Sequence, residues 1–425
     1  MTKDNVKKNL HLRNMVSFWI FGLCNNFTFS MMLSAAQDIL SKQHRPIHHV
    51  ENVTDVCLPK ITHRVCSPTS AGVVLLCNIL PALMIKLMYP FVMHWIPYGI
   101  RHLMICSFQV ASLLMTAFST SVPIALLGVC IASIAGGLGE STFLGLAGHY
   151  SKHTIATWSS GTGMAGLIGA FSYAGMTDAR LLAFSPSQAM LIMLVMPAIY
   201  AFTYYIVLVR APTIRKITAN RPGDWFSNGQ TEKKNLPSEN DISIKPKGGF
   251  MEQLKRVKSL LRYMIPMFLV YLAEYLINQG LLELIIFDCS HSYGNSPASQ
   301  YRWYQVMYQA GAFISRSSLK LIQFNMTFIA LMPLLQLLNT VFLTVNAIYG
   351  FLPHFGIVCA VILYEGLIGG SSYVNTFHHI HRKVDPSIRE FALSTVSLSD
   401  TLGIVVAALS AIPLHNAICE LPFKA

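Results

Sequence analysis

Seven ionisable side chains stand inside stretches that are otherwise apolar: Lys86, Glu140, Glu274, Glu283, Arg316, Glu365 and Asp400. A charged group at bilayer depth costs about 2.5–3.5 kcal/mol to insert, so it is kept facing a partner or a cavity, and its usual work is to move protons or bind a charged solute. Carboxylates serve the first task. For the second, a guanidinium grips two oxygens of an anion at once, whereas an ammonium acts as a point charge. Arg316 is therefore the better anion ligand and Lys86 the weaker one. A structural alternative stands beside this reading. Glu283, near one end of its stretch, reaches water, and Lys86 and Arg316 snorkel to an interface. Glu140, Glu274, Glu365 and Asp400 then serve as ion-pair partners of the two cations.

Two of the carboxylates sit in similar glycine-rich surroundings, Gly136-Gly137-Leu138-Gly139-Glu140-Ser141-Thr142 and Glu365-Gly366-Leu367-Ile368-Gly369-Gly370-Ser371-Ser372. Each is followed by a histidine near the end of its stretch, His149 and His378. These are the fourth and tenth apolar stretches, while Lys86 and Arg316 fall in the second and eighth, as they would if the two halves were copies of one unit. Such internal similarity is the sequence mark of major-facilitator transporters. Two other patterns carry no chemistry. The run from Trp158 to Gly166 has the glycines of a phosphate loop but no following Lys and no preceding strand, so it reads as a small-residue packing face that presents hydroxyls to a cavity. Phe377-His378-His379-Ile380-His381-Arg382 is a single histidine cluster, where a di-iron membrane enzyme needs several, and it reads as the basic end of a helix. Without a nucleophile–base pair or a metal set the chain is not expected to be an enzyme, and no cofactor or metal is expected.

The elements that position these groups follow from composition. With 53% hydrophobic and only 12% charged residues, and a mean hydropathy of +0.48, the chain departs from globular usage of about 25% charged. Apolar windows long enough to cross ~30 Å of hydrocarbon recur at 15–36, 71–95, 103–120, 122–149, 155–177, 188–209, 263–287, 303–322, 326–350, 352–377 and 391–414. The expected fold is an all-α membrane protein of about eleven transmembrane helices in two bundles. The first bundle spans 1–209 with six helices and a lumenal loop at 37–70; a polar cytosolic linker covers 210–258; the second bundle spans 259–425 with five helices. The first window lacks a signal-peptidase site and is too long for a signal-peptide core, so it is retained. The basic balance, 31 Lys+Arg against 19 Asp+Glu, reads as orientation and not as nucleic-acid binding. With a cytosolic N-terminus, 23 basic residues fall on the cytosolic side and 7 on the lumenal side, 12 of the 23 between Arg210 and Arg262.

That orientation places Asn52-Val53-Thr54 in the lumenal loop, where Asn52 is a glycosylation acceptor. Five cysteines lie in apolar windows as small hydrophobes. Cys57 and Cys66 share the lumenal loop and are the candidates for a disulfide in an oxidising compartment.

Eight runs together resemble one family. They are Phe18-Trp19-Ile20-Phe21-Gly22-Leu23-Cys24-Asn25-Asn26-Phe27, Met32-Leu33-Ser34-Ala35-Ala36-Gln37-Asp38-Ile39-Leu40, Ser159-Ser160-Gly161-Thr162-Gly163, Ala273-Glu274-Tyr275-Leu276-Ile277-Asn278-Gln279-Gly280, Tyr301-Arg302-Trp303-Tyr304-Gln305, Ser315-Arg316-Ser317-Ser318-Leu319, Leu363-Tyr364-Glu365-Gly366-Leu367-Ile368-Gly369-Gly370 and Ser399-Asp400-Thr401-Leu402-Gly403. In this order they resemble the battenin family, the ceroid-lipofuscinosis proteins of lysosomal and vacuolar membranes. The resemblance spans nearly the whole chain except the linker. It implies a lysosomal, late endosomal or vacuolar protein with a major-facilitator-like fold, related to the nucleoside-transporter group. It further implies a link to lysosomal pH, to basic amino acid levels including arginine, and to clearance of glycerophosphodiesters. Two departures stand out. Glu232-Lys233-Lys234-Asn235-Leu236-Pro237 is a poor acidic dileucine signal, and Cys419 lies too far from the end for the prenylated C-terminal Cys of the family.

The function expected is solute transport by two bundles rocking about a midplane site, with an anionic or basic small molecule, and protons, as ligands. The alternative is a membrane scaffold or trafficking factor working through its cytosolic linker, against which the linker's shortness and poverty in apolar anchors count. Substrate, coupling ion and oligomeric state are not readable from residues.

Overall fold

The computed structural model describes residues 3–40, 57–61, 66, 71–92, 96–147, 150, 153–178, 180–209, 250–384 and 389–422. Asn52, His149, most of the 37–70 loop and most of the 210–258 linker lie outside the described residues. Within them the fold is all-α. The first half comprises α1 (Lys3–Ser34), α2 (Ala36–Leu40), α3 (Ala71–Val92), α4 (Tyr98–Phe118), α5 (Val122–Ala147), α6 (His153–Thr177), α7 (Pro186–Ile192) and α8 (Val195–Phe202). The second comprises α9 (Phe250–Leu276), α10 (Pro297–Ser317), α11 (Met326–Tyr349), α12 (Phe355–Lys383) and α13 (Arg389–Glu420). Helix ends follow local chemistry. Ser296 caps α10 with Pro297 behind it, Asn325 caps α11, and Gly350 at φ 62° ends α11 in the left-handed conformation that glycine adopts without a Cβ penalty.

Nine stretches of the described residues are long and apolar enough to cross a membrane. The two further windows of the eleven correspond to α6 and α10, of 25 and 21 residues. Their lower apolarity has a physical reason: they pack against each other, and a helix sheltered by protein can carry polar side chains that lipid would reject. The eighth window, expected at 303–322, is α10 at Pro297–Ser317, which puts Arg316 in its last turn.

Packing repeats between the halves. Helix α1 lies on α6 as α9 lies on α13, α3 on α5 as α10 on α12, and α4 on α5 as α11 on α12; the halves meet where α6 packs on α10 and α3 on α13. The close pairs are made by glycines. A Cβ at Gly22 or Gly161 would collide with the facing backbone at Trp158 or Trp19, and one at Gly311 or Gly366 with Leu363 or Tyr308. Gly366→Ala is therefore expected to cost about 1–3 kcal/mol by overpacking, read as a lower melting midpoint. Gly136→Ala, where nothing lies within 4 Å of the added carbon, is the silent control.

The disulfide expected between Cys57 and Cys66 is not made. Cys57 bonds Cys289 and Cys66 bonds Cys419, with Cα separations of 5.3 and 6.1 Å. The reason is where Cys57 and its neighbour lie: Leu58 accepts a backbone hydrogen bond from Cys289 of the second half at 2.9 Å. Each thiol thereby meets a partner distant in sequence.

Candidate functional site

Six of the seven ionisable residues fall into two groups joined at the interface between the halves. In the first, Lys86 on α3 holds Glu140 on α5 at 2.8 Å, with side chains 16% and 30% exposed. Asp400 on α13 acts electrostatically on both from the opposite half, and one of its oxygens accepts from the Thr401 hydroxyl at 3.1 Å. The second group lies inside the second half. Glu274 on α9 and Glu365 on α12 are 1% and 0% exposed. Glu274 accepts from the Tyr308 hydroxyl, and Asn278 Nδ2 donates to Glu365 at 2.8 Å and to the Glu274 carbonyl at 3.0 Å. Glu274 lies within electrostatic reach of both Arg316 and Asp400, which joins the groups into one charged path.

Arg316 differs from Lys86 in its company. Its guanidinium stands over the Tyr373 ring, 4.7 Å from the centroid, and donates to the Tyr271 hydroxyl at 3.4 Å; its Nε has no hydrogen-bond partner among the described residues. Among the described residues no carboxylate pairs with it. Its stem faces Gly163 of α6 across the interface, so the cation of α10 meets a glycine where the cation of α3 meets Asp400. Glu283 does not simply reach water: it is 4% exposed and lies 2.7 Å from His415 Nδ1 on α13.

Tyr271, Tyr308 and Tyr373 were not singled out by sequence reasoning, because an aromatic in an apolar stretch is ordinary. A signal existed: Tyr271, Glu274, Tyr275 and Asn278 recur at the spacing of one helix face.

A further polar set, also missed, closes the end of the molecule that carries the disulfides. Arg302 on α10, 3% exposed, holds Asp38 on α2 at 3.0 and 3.2 Å, and Tyr173 on α6 donates to the same carboxylate at 2.8 Å. Asp178, just beyond α6, accepts from Ser299 Oγ at 2.8 Å and Trp303 Nε1 at 3.0 Å, both on α10. Burial pushes the Asp178 carboxyl up. Bonds from the Arg180 backbone, Trp303 and Ser299, with the charge of Arg302, outweigh it and hold the group below the ordinary carboxylate value.

The family described as CLN3 protein matches residues 16–421. Battenin of Canis lupus familiaris is 41% identical over 418 residues, covering 96% of this chain and 92% of that protein. Protein btn-1 of Neurospora crassa is 33% identical over 439 residues, covering 95% and 88%. Among solved structures, a D-xylose-proton symporter superposes with a TM-score of 0.58 at 9% identity over 95% of this chain and 90% of that one. A bacterial homolog of the human lysosomal transporter Spinster, inward-facing and unoccupied, gives 0.53 at 13% over 94% and 81%. The fold is that of major-facilitator transporters.

Proposed function

Because the chain belongs to the CLN3 protein family, we propose that it is a transporter of the lysosomal or vacuolar membrane that maintains lumenal pH and solute balance by exporting glycerophosphodiesters. The observation that carries the substrate class is the asymmetry of the two cations. Lys86 is neutralised by Glu140, whereas Arg316 has only ring and hydroxyl company among the described residues. A part-buried guanidinium without a carboxylate stays costly until an anion arrives, and a phosphodiester offers the two oxygens that its fork binds.

The disulfides support an N-terminus facing the cytosol. Disulfides form in oxidising compartments, and Cys57, Cys66, Cys289 and Cys419 all lie at the end of the molecule reached after odd-numbered crossings. The Asp38–Arg302 and Asp178 contacts lie at that same end, so on this reading the conformation is the one closed to the lumen. Transport then proceeds by rocking of the halves about the charged path, with the lumenal contacts breaking to admit solute. A tag inserted near Asn228 is expected to be protease-accessible in sealed lysosomes, and Asn52 to carry a glycan; protection of the tag would reverse the orientation.

The deciding experiment is uptake into proteoliposomes loaded at opposite pH, comparing glycerophosphocholine with arginine. Uptake of the phosphodiester alone is expected. Uptake of arginine alone would replace the substrate class.

A further inference from the structure

Beyond Leu276 the seventh crossing abandons α-helical geometry. Residues Ile277–Leu281 form a π-helical turn, all five buried, and Leu282–Leu284 a 3-10 turn. Broken helix at membrane depth is kept only inside protein or around a cavity, and the polar groups gathered beside this break are unusual. Glu274, Asn278 and Gln279 are each 1% exposed and Glu365 is 0% exposed. Each carboxylate spends one oxygen on a protein donor, Tyr308 for Glu274 and Asn278 for Glu365. The second oxygen of each, together with Asn278 Oδ1, has no hydrogen-bond partner among the described residues. These acceptors come from facing turns. Asn278 follows Glu274 by one turn and touches Glu365, while the free oxygen of Glu274 lies where a side chain on Gly369, one turn beyond Glu365, would stand. Among the described residues no Lys, Arg or His makes an ion pair with either carboxylate.

Two buried carboxylates with unsatisfied oxygens are costly to keep ionised without a cation between them. We propose that Glu274, Asn278 and Glu365 form a binding site for one monovalent cation, Na+ or a proton in its place. The donor set is all oxygen, as a hard cation requires. A divalent ion is disfavoured because it takes six or more oxygens and because the Arg316 charge faces the same pocket. The titratable and charged groups around the pair are Tyr271 and Tyr275 of α9, Tyr308 and Arg316 of α10, and Asp400 of α13; α11 contributes the Thr340 hydroxyl on the Ala273 carbonyl. Use of the site for coupling rests on the transport reading above; occupancy of the site does not.

The test is therefore a binding measurement on the purified full-length chain. Melting midpoints are compared in NaCl and in choline chloride at equal ionic strength, at pH 8 and pH 5.5, for wild type, Glu365→Gln and Glu274→Gln. At pH 8, Na+ is expected to raise the wild-type midpoint by about 2 °C at ten times its Kd, with no rise in choline. At pH 5.5 the Na+ effect disappears because the proton has taken the site. Both variants lose the response, and either alone suffices if the other does not fold. A midpoint that rises with acid in wild type but not in the variants, without any Na+ effect, supports the site with the proton as its only occupant. A wild type insensitive to both cations, or variants that respond as wild type does, overturns the proposal. Failure of solute uptake with these shifts intact would sink the transport reading and leave the site standing.

Discussion

Arg316→Lys is expected to lower glycerophosphodiester uptake at least tenfold at matched protein levels, although the charge is kept. A hydrogen bond to a charged group is worth about 1.5–3 kcal/mol, and the lysine head offers no second donor in the plane that a phosphodiester presents. The local geometry also argues against the snorkelling alternative. A side chain reaching for a cytosolic interface would extend away from the bundle, but the Arg316 guanidinium lies over Tyr373 of α12 and against Tyr271 of α9, with Gly163 leaving space on the opposite side. Folding should be little affected, because the stem packing is retained and no carboxylate among the described residues loses its partner. Binding of the phosphodiester, measured by the ligand-induced shift in melting midpoint, is expected to weaken in parallel with uptake. Equal uptake by the two proteins would remove Arg316 from the substrate site.

The bilayer makes much of this fold readable, because a span must be apolar for about 20 residues whatever its neighbours do. The same rule exposed Lys86, Glu140, Glu274, Arg316, Glu365 and Asp400 as residues that must face inward. It could not say which cation meets which carboxylate: Lys86 takes Glu140 while Arg316 takes none among the described residues, and that choice depends on how α3, α5, α10 and α12 are rotated against one another. Near the membrane ends the rule falls silent, since an ion there can reach water. Asp38 and Arg302 were passed over for that reason, and only their burial in the assembled bundle reveals them. Disulfide partners are set by the path of a loop and not by spacing, so Cys57 and Cys66, nine residues apart, bond to chain segments 232 and 353 residues away.

The lumenal contacts give the second large effect. Arg302→Gln is expected to raise the labelling rate of a cysteine placed at Ser34, 1% exposed at the end of α1, by at least tenfold from the lumenal side, in a background without the other free thiols. Removing one partner of a buried ion pair costs about 3–5 kcal/mol, and that loss falls on the closed conformation, where Arg302 grips Asp38 across the two halves. Acid alone should not have the same effect. Because the Asp178 carboxyl is held below its ordinary value, its bonds to Ser299 and Trp303 stabilise the closed state fully above about pH 4 and are lost only as pH falls through the lowered value. Wild-type labelling is therefore expected to stay flat from pH 7 to pH 5, so that opening waits on solute or cation rather than on lumenal acidity. A wild-type rate that climbs across that range would make these carboxylates the pH sensor, and an Arg302→Gln rate equal to wild type would remove them from the gate.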